Sequence, residues 1–277
     1  MDNLLRLAIS PCPNDTFMFD ALINGRIDTE GLRFDVEYLD IEELNRGVLD
    51  STPDISKISC AVLPAIAHNY RLTDCGAALG RGNGPLLVRR KGECSAIKRI
   101  AVPGEHTTAN ALIGRLFPEI EEREPMLFSD IAAAVERGEF DAGVLIHEGR
   151  FVYHRRNLEL VADLGLEWEA RTGLPLPLGG IVVRRELSEE VFARFERVLR
   201  RSIEYAFEHP DASRDFIKQH AQELEDEVIE QHIALFVNQY SLSLGESGRA
   251  AIRFLTGVLC NMVIKQKPEG FSFGLFA

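Results

Sequence analysis

Short apolar segments alternate with helical patterns through the first two thirds of this chain, and that order constrains the fold more than any other feature. It is the order of strands laid side by side and joined by crossover helices. Leu4 to Ile9 reads as a strand, Pro11 and Pro13 interrupt it, and Asn14 or Asp15 then caps a helix that carries Phe17, Met18, Ala21 and Leu22 as far as Gly25. Leu32, Phe34, Val36 and Tyr38 alternate with polar residues as a strand does, Ile41, Leu44 and Val48 recur at helical spacing, and Asp54 to Ser59 reads as a further strand. A fresh series opens at Arg99, with a strand over Ile100 to Val102, a helix over Thr107 to Leu116, a strand over Met126 to Phe128 and a helix over Ser129 to Arg137 that Gly138 terminates. Phe140 to Ile146 then has the apolar character of a strand buried on both faces, and it stops at His147. The fold class is α/β.

The last third is helical. From Ser188, the residues Val191, Phe195, Val198, Leu199, Ile203 and Ala206 follow a 3.6-residue period, and further helices start near Asp211, Glu225 and Glu246. Two stretches are punctuated by Gly and Pro, Gly80 to Pro85 and Leu174 to Gly180, each ahead of an apolar run, so both are read as extended connections between lobes. The division is then residues 1–98 plus 181–277 as a large α/β lobe with the C-terminal helices, and residues 99–180 as a small α/β lobe. An internal echo supports it. Glu43-Leu44-Asn45-Arg46-Gly47 runs into the strand ending at Ser59, and Ala134-Val135-Glu136-Arg137-Gly138 runs into the strand ending at His147. Two lobes of related design would point their strand ends into a common crevice, where open parallel sheets bind ligands.

A length of 277 residues suits two such lobes with a sizeable core. With 43 acidic and 31 basic residues the net charge is −12, which opposes binding to nucleic acid or to an anionic membrane. Five scattered cysteines without a C-x-x-C pair suit reduced thiols. The first residues place Asp2 and Arg6 where a secretory signal needs a basic then apolar order, and no apolar run approaches the ~20 residues of a membrane span. The expectation is a soluble, cytoplasmic protein. His147-Glu148 lacks the second histidine of a zinc-hydrolase motif because Phe151 stands there, Pro85 occupies the third glycine position after Gly80 and Gly82, and neither a phosphate loop nor a serine-nucleophile elbow is present.

The remaining chemistry sits at strand ends and helix starts. Ser10 follows the first strand, Lys57-Ile58-Ser59 ends another, and Glu105-His106-Thr107-Thr108-Ala109 stands where a strand turns into a helix. The unpaired N–H groups and partial positive charge of a helix start suit a carboxylate, although Thr107 or Thr108 also reads simply as the cap. His147 is the candidate base, because imidazole exchanges protons near neutral pH, with His106 as its rival. His68, His154, His209, His220 and His232 read as surface or packing residues, Arg81, Asn83 and Asn45 are as readily solvated turn or helix residues as ligand contacts, and Phe17 and Phe19 read as core.

Ser10 to Phe17, Gly76 to Gly82, Val102 to Ala109, Ile146 to Glu148 and Thr172 to Gly179 together resemble the 1,4-dihydroxy-6-naphthoate synthases of the futalosine route to menaquinone, over nearly the whole chain. The resemblance implies a two-lobed fold like that of type II periplasmic binding proteins, with a ligand cleft between the lobes and a helical C-terminal segment. It implies a carbon–carbon lyase that splits cyclic dehypoxanthine futalosine into dihydroxynaphthoate and a three-carbon fragment, with neither a metal nor a redox cofactor. It also implies His147 as the base, with substrate contacts at Lys57, Ile58, Ser59, Thr108 and Ala109. The partner expected is a small-molecule carboxylate, with no nucleic acid and no membrane. A chorismate dehydratase of the same pathway, a carboxylate-binding protein without catalysis, or a ligand-sensing regulator are the competing readings. Glu105 departs from the basic residue of some relatives and sets a negative charge beside the expected anion site.

Overall fold

The computed structural model describes residues 4–221 and 225–264, with side chains as far as 257, so the thiol of Cys260 lies outside the described residues. Strands β1 (Leu4–Ile9), β2 (Arg33–Tyr38) and β3 (Ile55–Ser59) pair in parallel, with β1 in the middle. Next come the short β4 (Tyr70–Leu72) and β5 (Ala78–Gly80), after which the chain crosses to a second sheet. There β6 (Leu86–Arg90), β7 (Arg99–Val102), β8 (Glu122–Pro125), β9 (Ala142–Leu145) and β10 (Leu158–Asp163) take the order β10, β6, β9, β7, β8. The chain returns as β11 (Leu176–Arg184), which lies antiparallel to β3, β4 and β5 in the first sheet.

The two sheets repeat one design. In the first, β2, β1 and β3 are parallel and β11 closes against β3 antiparallel; in the second, β8, β7 and β9 are parallel and β6 closes against β9 antiparallel. Ser59 and His147 therefore stand at equivalent ends, β3 and β9, as the internal echo in the sequence suggests. Every residue of β3 and of β9 is buried, as expected of strands with neighbours on both sides and cover on both faces.

Three details differ from the sequence expectation. Leu86–Arg90 belongs to the second sheet and residues 176–180 already to the first, so the lobes exchange before Leu86 and not at Lys98, and again before Leu176 and not after Gly180. An apolar strand carries no record of which sheet will pair with it. The strand expected over Met126 to Phe128 lies at Glu122–Pro125, an exposed edge strand with no apolar run to reveal it. Finally, the first helix (Pro13–Ile23) is not capped by Asn14 or Asp15; Cys12 is its N-cap residue, without a side-chain cap bond, and Pro13 supplies the first helical position.

Helix starts elsewhere follow local chemistry. Asp40 and Glu43 form a reciprocal capping box for the helix Ile41–Leu49, and Ser188 accepts from the Val191 N–H to start the helix Glu189–Glu208. That long helix buries Phe195, Val198, Leu199 and Ile203 in the core of the first sheet with Phe17, Met18 and Phe19. A second apolar cluster spans both sheets, from Ile58 and Val182 to Val102, Ala109 and Leu112. The lobes thus share packing beneath the crevice. Among the described residues no helix is long and apolar enough to cross a membrane.

The crossing at residues 81–85 is held by backbone contact. A Cβ built on Gly84 would stand 2.1 Å from the Gly165 nitrogen and 2.3 Å from its Cα, atoms that no side-chain rotation moves away. Gly84→Ala is expected to lower stability by about 1–3 kcal/mol, the usual cost of overpacking. Thermal unfolding checks this, and an unchanged Tm would mean that the crossing yields freely.

Candidate active site

The carboxyl ends of the parallel strands of both sheets converge on one cleft, which encloses about 670 Å³ with its mouth included. Lys57, Ile58 and Ser59 line it from the first sheet, and Thr108, Ala109 and His147 from the second. The cleft thus holds all six residues that the family resemblance implies. Ser10, Asn83 and Gly84 line it as well.

On the first side, opposite charges are buried together. Asp15 is 0% exposed and Lys57 5%, and the Lys57 Nζ donates to Asp15 Oδ1 at 2.5 Å. Ser10 Oγ donates to Asp15 Oδ2 at 2.7 Å, its N–H reaches the same oxygen at 3.3 Å, and Asn14 Nδ2 donates to Oδ1 at 2.8 Å. Four donors on one carboxylate are what a buried charge needs to remain tolerable. Ser59 is positioned separately, since its N–H donates to Asn45 Oδ1 at 2.8 Å and its hydroxyl accepts from Asn45 Nδ2 at 3.0 Å. Asn45 is fully buried and holds the strand end without lining the cleft.

On the second side, the helix Thr108–Leu116 points its start at the cleft. Thr107 is its cap, accepting from the Asn110 N–H at 3.2 Å and donating to the Gly104 carbonyl at 3.0 Å. The Thr108 hydroxyl accepts from the Ala61 N–H at 3.2 Å and donates to the Leu178 carbonyl at 2.8 Å, tying this helix to the first lobe. Both hydroxyls are thus engaged within the protein. What the helix start offers a ligand is its backbone: the N–H groups of Thr108 and Ala109, the first two of the helix, have no intrahelical acceptor.

His147 follows β9 in the left-handed region, at φ +51°, a conformation that histidine adopts more readily than branched residues do. Its ring meets Phe128 edge-on, with centroids 4.9 Å apart, and neither ring nitrogen has a hydrogen-bond partner among the described residues. Burial pushes its pKa down from 6.5 to about 4; the nearby Asp15 works against that shift and Lys57 adds to it. The imidazole is therefore neutral at pH 7 and has a lone pair to offer.

His106 is not a rival in this cleft. Its Nδ1 pairs with Glu42 at 2.8 Å in a separate depression, which also holds the exposed Glu105, so the negative charge of Glu105 does not face the cleft. Arg81 leaves the site too, binding Glu169 and the Gly173 carbonyl.

Several residues here were not singled out from sequence. Arg150 lines the cleft, donating to the Gly84 carbonyl at 2.6 Å and to Asp163 at 3.3 Å. His232, expected to be a surface or packing residue, is 0% exposed at the back of the site; its Nε2 lies 2.9 Å from Asn14 Oδ1 and its ring stacks parallel to that of His147 at 6.1 Å. The signal was present, because Val228, His232 and Phe236 share the buried stripe of the helix Asp226–Phe236. Cys12, His147 and Glu148 each bring one ligating atom within 4.8 Å of the others. No spacing in the sequence reveals that group, since the fold joins Cys12 to it across the two lobes.

The arrangement suits a small anion gripped by backbone donors in the same cleft as a neutral base. A sequence profile of the family described as "Menaquinone biosynthesis" matches residues 5–260. The chain is 44% identical over 253 residues to a protein of Thermus thermophilus named 1,4-dihydroxy-6-naphtoate synthase, covering 90% of this chain and 91% of that one. Protein AF1704 from Archaeoglobus fulgidus superposes with a TM-score of 0.88 at 36% identity, over 95% of this chain and 98% of its own. The alkanesulfonate-binding protein SsuA from Xanthomonas axonopodis pv. citri superposes with a TM-score of 0.70 at 13% identity, over 96% and 95% of the two chains, which shows the type II periplasmic-binding-protein fold alone.

Proposed function

The chain belongs to the menaquinone-biosynthesis family, among the 1,4-dihydroxy-6-naphthoate synthases, which are carbon–carbon lyases, and from that premise we propose that His147 is the general base that fragments cyclic dehypoxanthine futalosine. The observation that carries the reading is the position of a neutral imidazole in the same cleft as the helix start at Thr108 and Ala109. A substrate carboxylate seated on those two N–H groups meets the positive end of the helix, and closure of the lobes around it excludes water. His147 takes a proton from the substrate, the bond to the three-carbon fragment breaks as the ring aromatises, and the imidazolium returns the proton as the products form. Lys57, Ile58 and Ser59 orient the opposite end. We further place the protein in a reducing, cytoplasmic compartment, a reading supported by the free thiols of Cys12, Cys60, Cys75 and Cys94.

Incubation of the purified protein with cyclic dehypoxanthine futalosine is expected to release 1,4-dihydroxy-6-naphthoate and a three-carbon product by mass detection, while chorismate stays unchanged. Consumption of chorismate instead would move the chain to the dehydratase reading. The pH profile carries a second test. A base whose pKa is depressed to about 4 is active in its deprotonated form well below neutrality, so kcat/KM should stay level from pH 7.5 to roughly one unit above that pKa. A bound carboxylate favours the imidazolium, so the acid limb of kcat should lie above that of kcat/KM. A kcat/KM limb centred at the ordinary imidazole value contradicts the depressed base. Both profiles are recorded in chelating buffer.

A further inference from the structure

We propose that Cys12, His147 and Glu148 form a binding site for one zinc-like divalent cation, and that the ion inhibits the lyase by occupying the lone pair of His147. Thiolate, imidazole and carboxylate are the donor set of a tetrahedral zinc site with three protein ligands and one open position. The three ligating atoms lie within 4.8 Å of one another, and closing to the ~3.5 Å separations of a tetrahedron needs about an ångström of side-chain rotation. Cys12 stands at the start of the first helix and the other two follow β9, so the site draws on both lobes.

A second observation concerns the carboxylate. His232 is fully buried, and its Nδ1 has no hydrogen-bond partner yet lies 3.9 Å from Glu148 Oε2. The Asn14 amide gives its nitrogen to Asp15, so the oxygen facing His232 Nε2 is an acceptor and Nε2 must carry the proton. Nδ1 is then the ring atom turned toward Glu148, the carboxylate of the proposed donor set. A metal takes the thiolate, so binding releases the Cys12 thiol proton to solvent while His147 and Glu148 contribute existing lone pairs.

The binding claim stands apart from the lyase reading; only the inhibition rests on it. Zinc titrated into the full-length chain against a chromogenic chelator is expected to bind at one equivalent, with affinity falling more than about 100-fold in Cys12→Ala, beyond the 10–100-fold that outer-shell changes cost. Glu148→Gln should weaken it as well. If Cys12→Ala does not fold, Co²⁺ added to the unmodified chain should give a thiolate-to-cobalt charge-transfer band, kept in Cys94→Ser. Unchanged zinc affinity in a folded Cys12→Ala variant, or no charge-transfer band in the unmodified chain, overturns the site. Zinc bound tightly with no loss of turnover overturns the inhibition and leaves the site. Absence of turnover at any zinc level, with zinc still bound, counts against the lyase reading alone.

Discussion

Replacing His147 by asparagine should lower kcat by about 10²-fold or more, the scale of general base catalysis, with little change in stability. Asparagine is the sharper choice because position 147 has φ +51°, where asparagine is at ease and alanine is not. The amide keeps the left-handed turn, the contact with Phe128 is reduced, and the proton acceptor is gone. His147→Ala should show the same loss in turnover together with a small fall in Tm from backbone strain. The comparison separates chemistry from folding. Steady-state kinetics with circular-dichroism melting decide it, and near-normal turnover in a folded His147→Asn variant would falsify the assignment.

The second large effect concerns stability. Lys57→Met should cost about 3–5 kcal/mol, because it leaves the Asp15 carboxylate fully buried with only Ser10 and Asn14 to satisfy it. Adding Asp15→Asn removes the orphaned charge, so the double variant should recover most of the loss. Neither variant is expected to be fully active, since both remove the Lys57 side chain that lines the cleft. Urea unfolding of the two variants measures this directly. A Lys57→Met protein within 1 kcal/mol of the parent would mean that Asp15 gives up its charge at little cost.

The parts of the site legible in the sequence were those with local causes. An apolar periodic run follows Thr107 and Thr108, so one of them reads as the cap, and Thr107 is the one. Lys57, Ser59 and His147 end apolar strands, and the ends of parallel strands are where ligands bind. The engagement of the Thr108 hydroxyl was not legible, because its partners are Ala61 and Leu178, distant in the chain. Nor was the site of Cys12, His147 and Glu148, for the same reason.

The alternation of strands and helices from Leu4 to Ser59 and from Arg99 to Ile146, and the polar residues at their strand ends, were legible in the chain alone, since hydrophobic period, caps and turns act between residues a few positions apart. Tertiary structure alone decided that β6 joins the second sheet, that Lys57 spends its charge on Asp15, and that His232 stands behind His147. These depend on which surfaces meet and on how much water is left between them. Burial keeps the His147 imidazole neutral, and burial is a property of the assembled lobes.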